Sequence, residues 1–226
     1  MLSKKPGQPG SNPVWVWTLG APVESATNLR ASAPPGPIRS VPTFGVTPIC
    51  FAPPKLPNAR PKGDPFDIHT WSFPFSVLPE DDWKTGARRF GADRSGGRKH
   101  AGCDLYFPEG TAIHALADGV LIQEPYSFYA KTHAVEVRHG NHVVRYGEIK
   151  PGSYVGGQKV KQGQVIAKVG HLVGIKVPSD MLHLELYEGT ATGALTTSTA
   201  PYKRRSDLLD PTKYLNEWSK RLPTPW

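Results

Sequence analysis

The stretch RKHAGCDLY, residues 98–106, and its distant counterpart MLHLELYE, residues 181–188, carry the reading on which the rest turns. Side chains alternate sides along an extended chain. His100, Gly102 and Asp104 are therefore expected on one face of a strand, an imidazole and a carboxylate separated by a residue with no side chain. In the second stretch Leu182, Leu184 and Leu186 fall on one face, while Met181, His183 and Glu185 fall on the other. One side suits a core and the other carries chemistry. Two imidazoles and a carboxylate make three ligands suited to a tetrahedral Zn2+ whose fourth position stays open for water or substrate. The chain has eight histidines in 226 residues, so one His-x-x-x-Asp is unsurprising. On spacing alone the plainer reading, His100 bonded to Asp104 with no ion, is the stronger.

Outward from these stretches the texture is that of short strands. In THAVEVRHGNHVVRYGEI, residues 132–149, Val135, Val137 and His139 alternate with Glu136 and Arg138 before HGNH supplies a tight turn, the pattern of a β-hairpin. Between Val155 and Gly170, apolar residues and glycines recur in threes, which reads as another hairpin with bends. Asp210 and Pro211 form a good N-cap and first turn before TKYLNEWSKRL, with Tyr214, Leu215 and Trp218 on one face: a single short closing helix.

Composition bounds the class. With 23 glycines, 24 prolines and 38% hydrophobic residues, the chain is excluded from helical bundles and coiled coils. No apolar run approaches the roughly 18 to 20 residues of a spanning helix, and the start lacks an apolar segment of a Sec signal, so neither a membrane span nor Sec export is expected. Sixteen of the prolines fall within residues 1–80, and residues 1–63 hold one acid, Glu24, against seven bases. An extended proline-rich arm over residues 1–65 is therefore expected, serving docking or delivery, ahead of a domain over residues 66–226. The net charge of +8 favours polyanionic partners, but no reader motif for nucleic acid accompanies it.

In order along the chain, SFPF, RFGADRSGGRKHAGCDLY, FPEGTAIHALADGVL, the hairpin ending in RYGEI, the glycine run, MLHLELYEG and DPTKYL resemble the LytM/lysostaphin-type M23 metallopeptidase family over roughly residues 71–221. The resemblance implies a mainly β fold: a groove of antiparallel sheet, barrel-sandwich-like, with a short C-terminal helix. It also implies Zn2+ held by His100, Asp104 and His183, and hydrolysis of peptidoglycan peptide bonds.

Two motifs depart from the family pattern. Tyr146-Gly147-Glu148 stands where Tyr-x-His is usual, and Met181-Leu182-His183 where His-x-His is usual. The missing histidines are the family's general base and oxyanion stabiliser. A carboxylate beside the reacting water is a competent base if its surroundings raise its pKa, so Glu148 is the catalytic candidate. An acceptor holding a ligand imidazole, or an ordinary solvated side chain, stays open for it. Asp180 is a reserve base or a turn former. Arg94 is a candidate for a substrate carboxylate or for a local ion pair, and Tyr126, Tyr129 and Tyr187 for the groove wall or the rim of the core. His133 and His171 are candidates for oxyanion donors, whereas His139 and His142 are expected at the surface. Cys103 reads as core filler, with a Cys50–Cys103 bridge left open. Lys203, Arg204 and Arg205 read as solvated bases or contacts to an anionic wall polymer.

The function expected is a zinc-dependent peptidoglycan endopeptidase, acting in the periplasm or cell wall after non-Sec delivery as a phage lysis or tail enzyme or an antibacterial effector. Such a protein implies an immunity or carrier partner. The alternative is a degenerate domain that binds peptidoglycan or regulates another hydrolase. A biotinyl or lipoyl carrier, suggested by ADGVL and VKQGQVIAKVG, lacks the lysine at a hairpin tip that carriage needs.

Overall fold

A computed structural model describes residues 64–222. The arm expected over residues 1–65 lies outside the described residues, apart from Asp64 and Pro65. The strands are β1 (Asp93–Arg94), β2 (Arg98–Lys99), β3 (Cys103–Tyr106), β4 (Ala112–His114), β5 (Gly119–Ser127), β6 (His133–His139), β7 (His142–Ile149), β8 (Lys159–Val160), β9 (Val165–Lys168), β10 (Met181–Tyr187) and β11 (Leu208–Leu209). One helix follows, α1 (Thr212–Ser219). The main sheet is antiparallel and open, in the order β11-β10-β7-β6-β5-β8, with β3 paired to β10 beside β11; no closed barrel forms. No helix among the described residues is long and apolar enough to cross a membrane.

Alternation decides which faces are buried. Leu182, Leu184 and Leu186 of β10 enter the core with Leu105, Val135, Val137, Val144 and Tyr146, each such side chain contributing about 1.5–3 kcal/mol on burial. The opposite face of β10 is buried as well, and it holds His183 and Glu185. Helix α1 closes the core with Tyr214, Leu215 and Trp218. Trp218 stacks on Trp71 at 5.6 Å and donates its indole N–H to Ile68 O. Asp210 Oδ1 accepts the Thr212 N–H at 2.8 Å, the capping bond expected with Pro211 in the first turn.

Three local expectations are corrected. The His100–Asp104 segment is not one strand: it bends at Gly102, and His100 instead exchanges backbone hydrogen bonds with Gly91 and Ala92. Strands β8 and β9 do not form a hairpin, because β8 joins β5 and β9 pairs with β4 in a separate two-stranded sheet. A spacing of three marks turns but says nothing about which strand lies alongside. His139, expected at the surface, is fully buried: it faces the core with Val135 and Val137, and Nε2 meets the Tyr146 hydroxyl at 2.9 Å. The β6–β7 hairpin itself is present, with His139 opposite His142.

Gly102 has a specific reason to be glycine. A Cβ there would stand 2.4 Å from Leu184 O and 3.0 Å from His183 Cε1. Gly102→Ala should therefore force β3 away from β10 and destabilise the chain by about 2 kcal/mol, as overpacking of a tight core does. A urea midpoint giving a stability within about 0.5 kcal/mol of the parent, the range of a neutral surface change, would refute this.

Candidate metal centre

The register of β3 against β10 places Asp104 directly opposite His183, so their side chains share a face. His183 Nδ1 lies 2.8 Å from Asp104 Oδ1. The bend at Gly102 brings in His100, whose Nε2 lies 3.0 Å from Asp104 Oδ1 and 3.0 Å from His183 Nδ1. All three residues are buried.

The outer nitrogen of each ring is already committed. His100 Nδ1 faces Arg89 O at 2.8 Å, and His183 Nε2 faces Glu185 Oε1 at 3.0 Å. Carbonyl and carboxylate oxygens only accept, so both outer nitrogens carry protons. Nε2 of His100 and Nδ1 of His183 are left as lone-pair donors aimed at the same point as a carboxylate oxygen. Three electron-rich atoms at such separations need a cation among them. Two nitrogens and an oxygen, each ring oriented by an outer acceptor, fit Zn2+. In the metal-free chain a proton supplies that charge. Burial opposes charging His183, but the hydrogen bonds it donates to Asp104 and Glu185 raise its pKa to about 10. Burial would raise Asp104, yet its bonds to His100 and His183 hold it at about 2. His100, desolvated and facing a charged His183, is lowered.

Glu185 is the residue whose importance the sequence concealed. It has no exposed surface and accepts from His183, Arg145, Arg204 and the Tyr187 hydroxyl. Burial would raise its pKa, but the His183 hydrogen bond and the Arg145, His183 and Arg204 charges together hold it well below the carboxylate range. This bears on the groove-wall reading of Tyr187, which its burial overturns. Tyr187 is fully enclosed with its hydroxyl spent on Glu185, and the hydroxyl of half-buried Tyr126 is spent on Glu136 at 2.6 Å. Tyr187 supports the site from within and has no surface left to line a groove. Arg204 and Arg205 are not solvated: Arg204 reaches Glu185, and Arg205 pairs with Asp207 at 2.6 Å. Arg94 donates to Ala87 O at 2.8 Å and to Asp104 Oδ2 at 3.4 Å, so it steadies a member of the triangle and stays partly exposed. Cys103 is a free buried thiol, pushed up to about 12 by desolvation.

Glu148 is not part of the triangle, and its placement is unusual. Between β6 and β7 the pairing passes from Val135↔Tyr146 to His133↔Ile149, so β7 carries one extra residue at Gly147–Glu148. This bulge, with Glu148 at φ 62°, breaks the alternation that would send its side chain to the core. The carboxyl is buried and its Oε2 lacks a hydrogen-bond partner. Desolvation, partly offset by the charge of His183 and reinforced by that of Asp104, raises its pKa to about 8. Gly147, opposite His183, leaves room for Phe128, which a Cβ would approach to 2.8 Å; that ring lies 6.0 Å from the His183 ring. Asp180 is a loop former, accepting from Leu172 N at 2.9 Å and meeting exposed His171 at 3.2 Å. Met181 is buried on the His183 face of β10.

The model of peptidase family M23 matches residues 98–194. Among solved structures, LytU is 22% identical, with 62% of this chain and 94% of that one covered and a TM-score of 0.45. The protein cbpa from L. salivarius REN is 21% identical, with 68% and 99% covered and a TM-score of 0.48. The antimicrobial peptidase lysostaphin from Staphylococcus simulans is 18% identical, with 60% and 50% covered and a TM-score of 0.44, so the chain spans about half of its length. No curated protein matches.

The raised pKa of Glu148 sets a stability test on zinc-stripped protein. Between the ordinary value of 4.5 and about 8 the folded chain keeps a proton that the unfolded chain has lost, so stability contributed by this group falls as pH rises through that window. Glu148→Gln should remove that fall. Urea midpoints at about pH 5 and about pH 9 should show the variant gaining on the parent at the higher pH, and an unchanged difference between the two would contradict the assignment.

Proposed function

We propose that the chain, whose residues 98–194 match the model of peptidase family M23, is a zinc-dependent endopeptidase of bacterial peptidoglycan. The observation that carries the proposal is the triangle of His100 Nε2, Asp104 Oδ1 and His183 Nδ1, with both outer ring nitrogens committed elsewhere. Zn2+ held by these three would polarise the scissile carbonyl and acidify water. Glu148 is the base: its buried, unpaired Oε2 takes a proton from the attacking water and passes it to the leaving amine nitrogen as the C–N bond breaks. A raised pKa suits a group that must both accept and return a proton near neutrality. Partly exposed Arg94, beside Asp104, is the proposed donor to a bound substrate's carbonyl or carboxylate. The proposed site of action is the periplasm or cell wall, reached as a phage lysis or tail enzyme or as an antibacterial effector, with an immunity or carrier protein as partner.

A second reading, a degenerate domain that grips peptidoglycan without cutting it, is favoured by Met181, which can neither take a proton nor donate to an oxyanion. The two readings separate by metal content and by clearing of purified peptidoglycan. The enzyme should carry one zinc per chain and clear the wall. His183→Ala should lose both zinc and clearing, whereas Glu148→Gln should keep zinc and lose about 100-fold or more in rate, the scale of a missing general base. Stoichiometric zinc with no clearing by the parent chain would favour the binder. Full activity in Glu148→Gln would remove Glu148 from the role of base.

A further inference from the structure

Resting on the metal-centre reading above, we propose that Arg204, on the loop after β10, is a positioning residue for that centre. By pairing with Glu185 it holds the His183 ring with Nδ1 turned toward His100 and Asp104.

The argument begins with a polar row that crosses the sheet at right angles to its strands. Glu185 of β10 lies opposite Arg145 of β7, and Arg145 lies opposite Glu136 of β6. Arg145 gives Nη1 to Glu185 Oε2 at 2.8 Å, and Nε and Nη2 to Glu136 Oε1 at 3.1 and 2.9 Å. Tyr126 of β5 completes the row with its bond to Glu136. Within the sheet this row holds two carboxylates and one guanidinium, all buried. The second guanidinium is Arg204, whose Nε reaches Glu185 Oε1 at 2.8 Å from outside the sheet. It balances the row's charge and occupies the same oxygen that receives His183 Nε2.

That shared oxygen is the point of control. If the His183 ring turned over about its bond to Cβ, a C–H would face Asp104 in place of Nδ1. The bond from Nε2 to Glu185 Oε1 opposes this turn only while Oε1 stays in place. Arg145 and Tyr187 both hold Oε2, so among the described residues Arg204 is the group besides His183 itself that fixes Oε1 against pivoting. The loop is built to deliver it. Thr196 bridges to Arg204, the Thr197 hydroxyl donates to Arg204 O at 2.9 Å, and Arg204 Nη1 donates to Lys203 O at 3.1 Å, which sets the guanidinium plane. Next to it, Asp207 holds Arg205 and the N–H of Gly189, tying the loop to the end of β10.

Arg204 can be altered with less risk to folding than Arg145, because its side chain keeps 17% of its surface exposed against 2%. The test is zinc affinity of the full chain by chelator competition, alongside thermal melting of the zinc-stripped forms. Arg204→Met, which keeps the apolar stem, should bind zinc about 10-fold more weakly, the low end of the loss typical when an outer partner of a ligating imidazole, here Glu185, is removed, because Arg204 acts through that partner. Its zinc-free melting point should shift by less than about 4 °C, the equivalent of about 1 kcal/mol or less in a domain of this size. Arg204→Lys keeps the charge without the in-plane Nε donor and should fall between the two. It carries the test should the methionine variant not fold. Wild-type affinity in the folded variant overturns the proposal, as does a loss of affinity no larger than the loss of zinc-free stability. A parent chain that binds no zinc overturns the metal-centre reading and this proposal with it, whereas tight parental binding with unaffected variants overturns only this one.

Discussion

Two imidazoles and a carboxylate whose bonding atoms stand 2.8–3.0 Å apart are held together only by positive charge among them. Each ring has already given its outer N–H away, so neither can turn to relieve the others. Burial sharpens the constraint, since removing an ion from water costs several kcal/mol and must be offset by close partners. The remaining charges are arranged around this requirement. Arg94 stands on the far oxygen of Asp104, while Arg145 and Arg204 stand on Glu185. A cation at the centre completes a balance that the side chains otherwise leave open.

A β-sheet is suited to this arrangement because it organises side chains in two directions at once. Along β10, alternation keeps the leucines on the core face and His183 with Glu185 on the other. Across the strands, register sets Glu185, Arg145 and Glu136 side by side, a distance that hydrogen bonds can span. The parts that regular pairing cannot supply come from irregular chain. His100 enters through the bend at Gly102, Arg204 through a loop stapled to Asp207, and Glu148 through a bulge. The ligand set thus combines one pair fixed by register with groups brought in by local departures from it.

The same division explains what the sequence disclosed. The identity of the triangle was legible, because His-x-x-x-Asp and the alternation in MLHLELYE are local patterns matched by a long resemblance. The mainly antiparallel fold and the closing helix were legible for the same reason, from alternation, turn residues and the Asp210-Pro211 cap. Pairing was not. Nothing in the spacing of residues 155–170 tells which strand lies beside β9. Nor does anything near Arg204, set between other bases, announce a buried carboxylate from β10 as its partner. His139 was misplaced because flanking a turn suggests exposure, although its parity with Val135 and Val137 already pointed inward. For Tyr187 the sequence left groove wall and core rim open, and only the structure shows its hydroxyl enclosed on a buried carboxylate.

The two departures from the family pattern lie close together in the fold. Gly170 is bridged to Met181, and its N–H donates to Glu148 O at 2.9 Å. An imidazole at position 181 would offer a nearby carboxylate a proton donor, which favours the ionised form and lowers its basicity. Methionine offers no such donor. Desolvation is the largest contribution to the raised pKa of Glu148. A carboxylate at position 148 and a thioether at position 181 are therefore physically consistent with each other: position 181 offers no donor that would hold Glu148 ionised.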